Sequence, residues 1–370
     1  MNNKPVIIDL FSGCGGFSLG AELAGFHTAV AVDNDETLQS AYKINFPNTK
    51  IITQDITTIT KEDWQTILNE QEVDGVIGGP PCQGYSRIGL GDKSDPRREL
   101  LIEFFRHVNI LQPKFFVMEN VEGLLDKKNK AELDKAINTI DRKYIVLDPI
   151  VIDAVLCGAP TKRKRIILIG YDPKKVTSIN TGELLFNEPL VNVFDAISDL
   201  PSPIKQNKDK NDLGFSTYKL VDRVSTYAKK MRAEPPFFLG SEYAIEKLSQ
   251  GMVSGLFETT HTLKVQERFN ALMAGKTDQI SRSKKLTWDG FCPTLRAGTG
   301  PDKGSYQSVR PLHPEEGRVI TVREAARLQG FPDWFVFHPA KWHSFRMIGN
   351  SVSPIVSEKI LTVIYNNLNM

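Results

Sequence analysis

The sequence predicts an α/β protein with a mostly parallel, doubly wound sheet and a smaller, irregular second domain inserted before the last helix. Its first half alternates short apolar, β-branched runs with longer amphipathic ones, which is typical of a parallel sheet covered by helices on both faces. Near Pro201 this pattern gives way to a polar stretch, and a long region rich in Gly and Pro follows. From Ser353 onwards the chain is amphipathic again.

The elements of the first half follow from these apolar runs. Strands are predicted at 6–11, 28–32, 73–77, 114–118, 144–152 and 165–170. A glycine-rich turn after the first run leads into a helix through about Ala24, and the second run leads into a helix through about Asn45. Further helices are predicted at 100–111 and 130–140.

The polar break predicts a first domain at 1–200, a second domain at 201–339 and a final segment at 340–370. Pro201, Pro203 and the polar run 205–212 are typical of a domain junction. The apolar residues of the final segment fall near one face of a helix: Ile355, Val356, Ile360, Ile364 and Leu368.

The composition is that of a soluble globular protein, with 370 residues of which 41% are hydrophobic and 24% charged. No apolar run approaches the length of a membrane helix, and the first residues show no secretion signal, so we expect a cytoplasmic protein. A net charge of +2 does not by itself identify a polyanionic partner. The four cysteines form no Cys-x-x-Cys pair, which argues against a disulfide framework and against a metal site.

A glycine-rich segment, 9–16, closes the first predicted strand and opens a helix. Its glycines allow a tight turn and a close approach of the backbone to a ligand, although a plain structural turn has the same pattern. Asp33, at the end of the second strand, is well placed for ribose hydroxyls, as in nucleotide-binding folds. Asp55, after the third strand, either contacts an adenine amino group or caps a helix.

Three further segments place reactive side chains at the same predicted sheet edge. Cys82 stands in a proline-stiffened loop directly after the strand 73–77, where a thiol can be exposed and activated, or simply buried. Glu119 ends the next strand, as a reactive or an idle carboxylate. The basic run 161–165 enters a strand, and it either binds phosphate or a pyrimidine carbonyl or forms a solvated face.

In order and spacing, these segments resemble the motif series of the DNA cytosine-5 methyltransferases. Segment 323–332 is similar to a late motif of that family, segment 349–352 to its final motif, and Thr294-Leu295 to a pair in its target-recognition domain. The resemblance covers the chain except for the middle of the second domain. It implies a Rossmann-like fold that binds S-adenosylmethionine, with 1–200 as the catalytic and cofactor-binding domain, 201–339 as the target-recognition domain, and 340–370 returning to the first domain.

The resemblance also implies the chemistry. Cys82 would add to carbon 6 of cytosine, which makes carbon 5 able to attack the sulfonium methyl. Glu119 would hydrogen-bond or protonate ring nitrogen 3, and Arg165, together with Arg163, would bind the carbonyl at position 2 and organise Glu119. The target nucleotide must be flipped out of the duplex. The base that removes the proton from carbon 5 is not nominated.

The residues that the resemblance assigns to the S-adenosylmethionine pocket are Phe11, Gly13, Cys14, Gly16, Asp33, Asn34, Asp55, Ile56, Pro81, Leu100, Asn350 and Val352. Asn34 departs from the family, in which an aromatic residue that stacks on adenine is frequent at this position. Thr161 departs from it as well, because Gln is usual before the two arginines.

The implied partner is double-stranded DNA, read by a monomer, with a cognate restriction endonuclease as a genetic partner. The candidate DNA contacts are Gln83, Ser86, Arg282, Lys284, Lys285, Thr294, Leu295 and Arg296. The alternative for each basic residue of this set is a solvated surface charge.

Four other interpretations were weighed. An RNA cytosine-5 methyltransferase is the closest, because one branch of the family modifies transfer RNA, but the long segment 201–339 favours duplex DNA. An amino-methyltransferase would carry Asp/Asn-Pro-Pro-Tyr/Phe in place of Gly79-Pro80-Pro81-Cys82. A binding module without catalysis would not need all four catalytic candidates, and a nicotinamide-dependent oxidoreductase explains only the glycine turn and Asp33.

Overall fold

The computed structural model describes residues 4–81, 99–207, 209–236, 238–297 and 310–369. Within these ranges the strands are β1 (Val6–Leu10), β2 (His27–Asp33), β3 (Lys50–Thr53), β4 (Gly75–Gly78), β5 (Phe115–Asn120), β6 (Ile145–Val146), β7 (Ile150–Asp153), β8 (Thr161–Lys162), β9 (Lys164–Tyr171), β10 (Ser216–Thr217), β11 (Met252–Val253) and β12 (Cys292–Pro293). The α-helices are α1 (Gly16–Leu23), α2 (Glu36–Asn45), α3 (Lys61–Leu68), α4 (Leu100–Leu111), α5 (Lys127–Ile137), α6 (Val193–Ile197), α7 (Thr226–Arg232), α8 (Glu242–Ser249), α9 (Leu263–Ala271), α10 (Val322–Gln329), α11 (Lys341–Asn350) and α12 (Pro354–Asn366).

The central sheet has the order β3-β2-β1-β4-β5-β9-β6, and β7 also pairs with β9. From β3 to β5 the neighbouring strands are parallel, whereas β9 is antiparallel to β5, β6 and β7. The predicted mostly parallel sheet is therefore confirmed. The prediction of one strand over 144–152 is wrong: β6 and β7 are separate, because Pro149 between them has no N–H to donate to a ladder.

Helices cover both faces of the sheet, as the doubly wound prediction requires. Ile7 faces the core cluster that contains residues of α1 and α12, whereas Ile8 and Leu10 face the cluster that contains Trp64 of α3 and Phe104 of α4. This alternation along β1 follows the two-residue period of a strand buried on both sides.

A buried group of charged side chains joins the end of the first half to the region before α11. This arginine–aspartate cluster consists of Asp199, Arg232, Arg323, Arg327 and Asp333. Arg327 donates to the carboxylates of Asp199 and Asp333, and Arg232 donates to Asp199 as well. Arg323 donates to the carbonyl oxygens of Ser254, Pro332 and Phe335. Segment 323–332 therefore joins distant parts of the chain.

The last helix returns to the first one. Glycine at position 20 permits this contact, because a Cβ built there would lie 2.6 Å from the carbonyl oxygen of Pro354. Ser357 Oγ donates to the carbonyl oxygen of Phe17 at 3.1 Å. The predicted apolar face of the final helix is confirmed, since Ile355, Val356, Ile360, Ile364 and Leu368 are all buried. In the described part of the chain, no helix combines the length and apolarity needed to span a bilayer.

Candidate active site

The sheet brings its functional segments to one edge. Leu10, Gly78 and Met118 lie side by side in the parallel strands β1, β4 and β5, so the segments that follow these strands emerge together. Strand β9 runs the other way, with Leu168 opposite Met118. Its beginning, and not its end, therefore lies at this edge, which brings the basic run 161–165 to the carboxyl end of β5.

The glycine loop after β1 has the strained backbone that its sequence predicts. Phe11, Gly13 and Gly15 all have positive φ, and Gly15 precedes α1 in the left-handed conformation. A Cβ at Gly13 would meet nothing within 4 Å, so the backbone there borders open space. A Cβ at Gly16 would instead collide with Ser351 and Val352. The loop thus lies between an open cavity and the segment that follows α11.

Asp33 fixes this loop. Its Oδ2 accepts from Gly13 N at 2.8 Å, and its Oδ1 accepts from Asp35 N at 2.9 Å. Burial raises the pKa of Asp33, and these two backbone N–H groups oppose the increase. Asp35 in turn pairs with Arg346 of α11 at 2.5 Å. Asn34, between the two aspartates, is exposed.

Two buried polar atoms under the loop have no hydrogen-bond partner among the described residues, namely Asp9 Oδ1 and Ser12 Oγ. The other carboxylate oxygen of Asp9 accepts from Ser18 Oγ at 2.5 Å, and Ser18 accepts from Tyr42 Oη at 2.7 Å. Burial raises the pKa of Asp9 to about 7. Orphaned buried polar atoms of this kind are rare and indicate a site that a polar ligand completes.

Asp55 caps the short 3₁₀ turn Ile56–Thr58. Its Oδ1 accepts from both the backbone N and the Oγ1 of Thr57, at 2.9 and 2.8 Å. The capping interpretation is therefore confirmed, and a contact between Asp55 and a ligand stays a prediction.

The backbone at Ile56 is held from below by a buried histidine. Trp64 Nε1 donates to His107 Nδ1 at 2.8 Å, and His107 Nε2 lies 2.9 Å from the carbonyl oxygen of Ile56. Since an indole N–H can only donate, Nδ1 must accept, and Nε2 must carry the ring proton and donate to Ile56. Arg106 donates to the same carbonyl at 3.0 Å. Burial lowers the pKa of His107 to about 4, so the ring is neutral.

Glu119 and Arg165 meet at the reversed strand. Arg165 Nε lies 2.8 Å from Glu119 Oε1, and Glu119 is only 8% exposed. Asn120 Nδ2 donates to the carbonyl oxygen of Pro80 at 3.2 Å, which ties the start of the proline loop to the end of β5. A Cβ on Gly79 would lie 3.3 Å from Glu119 Oε2. The carboxylate is thus held beside the loop that leads to Cys82.

Three predicted site residues, Cys82, Gln83 and Ser86, lie outside the described residues. The other three cysteines are buried: Cys14, Cys157 and Cys292. Burial raises the pKa of the Cys14 and Cys157 thiols to about 12 and raises that of Cys292 as well, which makes them poor nucleophiles.

Arg163 points elsewhere than its predicted role requires. It is 4% exposed, and its guanidinium donates to the carbonyl oxygens of Leu295, Gly349 and Ser351. These contacts connect three parts of the chain, and they correct the expectation that Arg163 acts on Glu119 alongside Arg165.

The predicted DNA contacts divide into exposed and buried ones. Arg282, Lys284 and Arg296 are exposed, as a DNA-binding surface requires. Lys285 is 4% exposed, and its Nζ donates to the carbonyl oxygens of Phe269 and Asn270. The prediction of a DNA contact by the Lys285 side chain is therefore wrong, because the ammonium group stabilises the second domain internally.

The pair Thr294-Leu295 is also turned inward. Thr294 Oγ1 donates to the carbonyl oxygen of Lys162 at 2.5 Å, and the Leu295 side chain is buried. The preceding strand β12 pairs in parallel with β8. The family pair is thus joined to the strand segment that carries Arg163 and Arg165.

Between these segments lies a cleft of about 440 Å³. It is lined by Glu122, Asp153, Val155, Lys162, Lys164, Arg165, Phe291 and Thr294. Its floor is formed by the Arg165 end of β9 and its rim carries two lysines. Sequence reasoning missed Phe291, which lies in an irregular region without any period, and Asn120, for which the only signal was its place directly after Glu119.

The remaining predicted cofactor residues lie around the glycine loop or along the sheet edge. Leu100 begins α4, Asn350 ends α11, and Pro81 follows β4. Val352 is brought against Gly16.

Comparison with known proteins agrees with this site. Residues 6–366 match the family described as C-5 cytosine-specific DNA methylase. The chain is 38% identical to the type II methyltransferase M.XorII of Xanthomonas oryzae pv. oryzae, over 96% of this chain and 84% of that protein. It also resembles the crystal structure of a prophage-encoded protein (E. coli) described as a DNA modification methyltransferase. That match has 42% identity and a TM-score of 0.88, covering 99% of this chain and all of that one.

A more distant solved structure shares the fold alone. The S. pombe Dnmt2 methyltransferase is 16% identical, with a TM-score of 0.61 over 99% of this chain and all of that one. The Rossmann-like fold of a methyltransferase is thus common to both. The chain belongs to the C-5 cytosine-specific DNA methylase family, and it is a DNA (cytosine-5-)-methyltransferase.

Proposed function

We propose that this enzyme uses S-adenosylmethionine to methylate carbon 5 of a flipped-out cytosine in a specific duplex DNA sequence, with Cys82 as the covalent nucleophile. The observation that carries the proposal is the ion pair of Glu119 and Arg165 beside the loop that leads to Cys82. A buried carboxylate, fixed at 2.8 Å by a guanidinium, can present its second oxygen to a pyrimidine ring nitrogen.

The chain's own groups then divide the chemistry. Cys82 Sγ bonds to carbon 6 as the ring's double bond opens, and the negative charge that develops is relieved at nitrogen 3 by Glu119. Arg165 holds Glu119 in place and binds the carbonyl oxygen at position 2. When bound, S-adenosylmethionine supplies an electrophilic methyl group on a sulfonium, which the activated carbon 5 takes. A base then removes the proton from carbon 5, the double bond re-forms, and Cys82 leaves as a thiolate.

The described residues fit such a cofactor. Asp33, at the end of β2, suits the ribose hydroxyls, and the loop at Gly13 borders open space. The unpartnered Asp9 Oδ1 and Ser12 Oγ offer polar contacts beneath the loop. Ile56, held by His107, supports the adenine side. These features favour a nucleoside with a polar tail over a simple structural turn.

Duplex DNA is the proposed substrate of the cleft, with 201–339 as the target-recognition domain and 340–370 returning to the catalytic domain. Arg282, Lys284 and Arg296 are exposed, and Lys162 lies at the cleft, which gives the surface a local positive charge for phosphates. We further propose that the enzyme acts as a monomer in a restriction–modification system, with an endonuclease as its genetic partner.

The test is covalent trapping on 5-fluorocytosine, because fluorine at carbon 5 blocks the final elimination. The protein is incubated with S-adenosylmethionine and with duplex DNA containing 5-fluorocytosine in varied sequence contexts, and the products are separated by denaturing electrophoresis. We expect an adduct that Cys82→Ser abolishes and that the buried-cysteine control Cys157→Ser retains. An adduct on 5-fluorocytosine RNA but not on DNA would contradict the proposed substrate, and an adduct that survives Cys82→Ser would contradict the proposed nucleophile.

A further inference from the structure

We propose that Arg163 is a positioning residue that couples the cofactor side of the site to its DNA side. The inference rests on the proposed function, since it takes the segment at Val352 to face the cofactor and the segment at Thr294 to face the DNA. It assigns Arg163 a role different from that of Arg165, two residues further along.

The Arg163 guanidinium spans the two segments. Nη2 donates to Ser351 O at 2.9 Å, and Nη1 donates to Gly349 O at 3.1 Å and to Leu295 O at 3.5 Å. A planar fork of donors can hold several carbonyls at fixed relative positions, which a single ammonium cannot do. Because the side chain is only 4% exposed, water cannot replace these bonds easily.

On the DNA side, the Leu295 segment is attached directly to the strand segment that carries Arg163. Cys292 N donates to Pro160 O at 2.9 Å, and β12 pairs in register with β8. Thr294 Oγ1 then donates to Lys162 O at 2.5 Å. A displacement of this segment by bound DNA is therefore transmitted to the backbone around Arg163.

On the cofactor side, the segment after α11 lies directly on the glycine loop, where a Cβ on Gly16 would collide with Ser351 and Val352. The two segments also touch each other: a Cβ on Gly349 would lie 2.5 Å from Ala297 N. Backbone packed on backbone leaves little room for one segment to shift alone.

Binding on either side therefore biases the position of the other segment through Arg163. Coupling between two sites typically changes affinity by roughly 5–150-fold, and it is reciprocal. We expect DNA to strengthen the binding of the cofactor product, and this effect to depend on Arg163 and not on Arg165.

The test measures the Kd of S-adenosylhomocysteine, which carries no methyl group to transfer, with and without the duplex recovered in the 5-fluorocytosine experiment but containing ordinary cytosine. Wild type is compared with Arg163→Met, with Arg163→Lys, which keeps the charge but loses the fork, and with Arg165→Met. Gln329→Met is the matched control, because Gln329 Nε2 donates to the same Ser351 oxygen at 3.0 Å without reaching the DNA side.

We expect DNA to lower the wild-type Kd by at least about 5-fold. Both Arg163 variants should lose this ratio, whereas Arg165→Met and Gln329→Met should keep it. A merely structural residue would lower the folded fraction and leave the ratio of the folded protein unchanged. An unchanged ratio in Arg163→Lys, or no effect of DNA on the wild type, overturns the inference. If the wild type binds no S-adenosylhomocysteine at all, the proposed function fails instead. Arg163→Lys carries the test if Arg163→Met does not fold.

Discussion

Replacing Arg327 by methionine should destabilise the enzyme more than any single change to a partly exposed charge in the same cluster. Methionine keeps the length of the side chain but removes all its donors. Arg327 is fully buried and makes four hydrogen bonds of 2.7–3.1 Å to the carboxylates of Asp199 and Asp333, plus one of 3.0 Å to Ala196 O. The variant would leave two buried carboxylates short of one positive charge.

The magnitude follows from what these carboxylates keep. Asp199 retains Arg232, and Asp333 retains the Tyr218 hydroxyl and a guanidinium, that of Arg323, at 3.8 Å. Removing one partner of a buried ion pair typically costs about 3–5 kcal/mol, and the partners that remain argue against a larger loss. Arg232→Met is the matched control: its side chain is 22% exposed, so water can reach the gap, and we expect a loss of about 1 kcal/mol.

The assay is urea unfolding at neutral pH, followed by far-UV circular dichroism and by tryptophan fluorescence, since the buried Trp334 adjoins Asp333. The free energy of unfolding should fall several-fold more for Arg327→Met than for Arg232→Met. Equal losses in the two variants would refute the argument that the buried cluster joins the two parts of the chain.

Other predictions concern the chemistry, the acid limit, helix contact and salt. Glu119→Gln and Arg165→Ala should each lower turnover by about 10²–10⁴-fold with S-adenosylmethionine affinity retained, and a variant that loses only affinity would contradict the roles assigned here. Because the neutral form of His107 is favoured in the folded state, its contribution is complete above the unfolded pKa of 6.5 and is lost as pH falls towards about 4, by about 3 kcal/mol in all. His107→Gln should flatten the fall in unfolding free energy between these pH values, and an unchanged slope would disprove the neutral-ring assignment. Gly20→Ala should lower the melting temperature, because its Cβ has only 2.6 Å to Pro354 O; a neutral effect would show that α12 moves freely on α1. DNA affinity should fall steeply with added salt, and a salt-independent Kd would argue against phosphate contacts.

The sequence predicted the parallel half of the sheet well, because its strands are short apolar runs bounded by turns. Strands β1, β2, β4 and β5 fall within about two residues of their predicted positions. The direction of β9 was not predictable, since an apolar run has the same period in either orientation. That direction decides the site, because it is what brings Arg165 to Glu119.

Among the site residues, single motifs predicted location better than role. The glycine loop, Asp33 and Glu119 lie where strand ends place them. Arg163 and Lys285 could not be assigned from sequence, because a basic residue next to a turn has the same local pattern whether it faces DNA or bonds to internal carbonyls. Only the tertiary contacts distinguish the two cases.

The contact of α12 with α1 has a consequence for how the enzyme is made. The glycine loop leaves the ribosome early, yet the surface that covers Gly16 and Gly20 belongs to segments after residue 350, which are translated more than three hundred residues later. During most of its synthesis, the nascent chain therefore carries α1 without its cover. A message broken before the codon for Pro354 would direct an incomplete chain with an exposed apolar helix face, a substrate for proteases and chaperones and not a partly active methyltransferase.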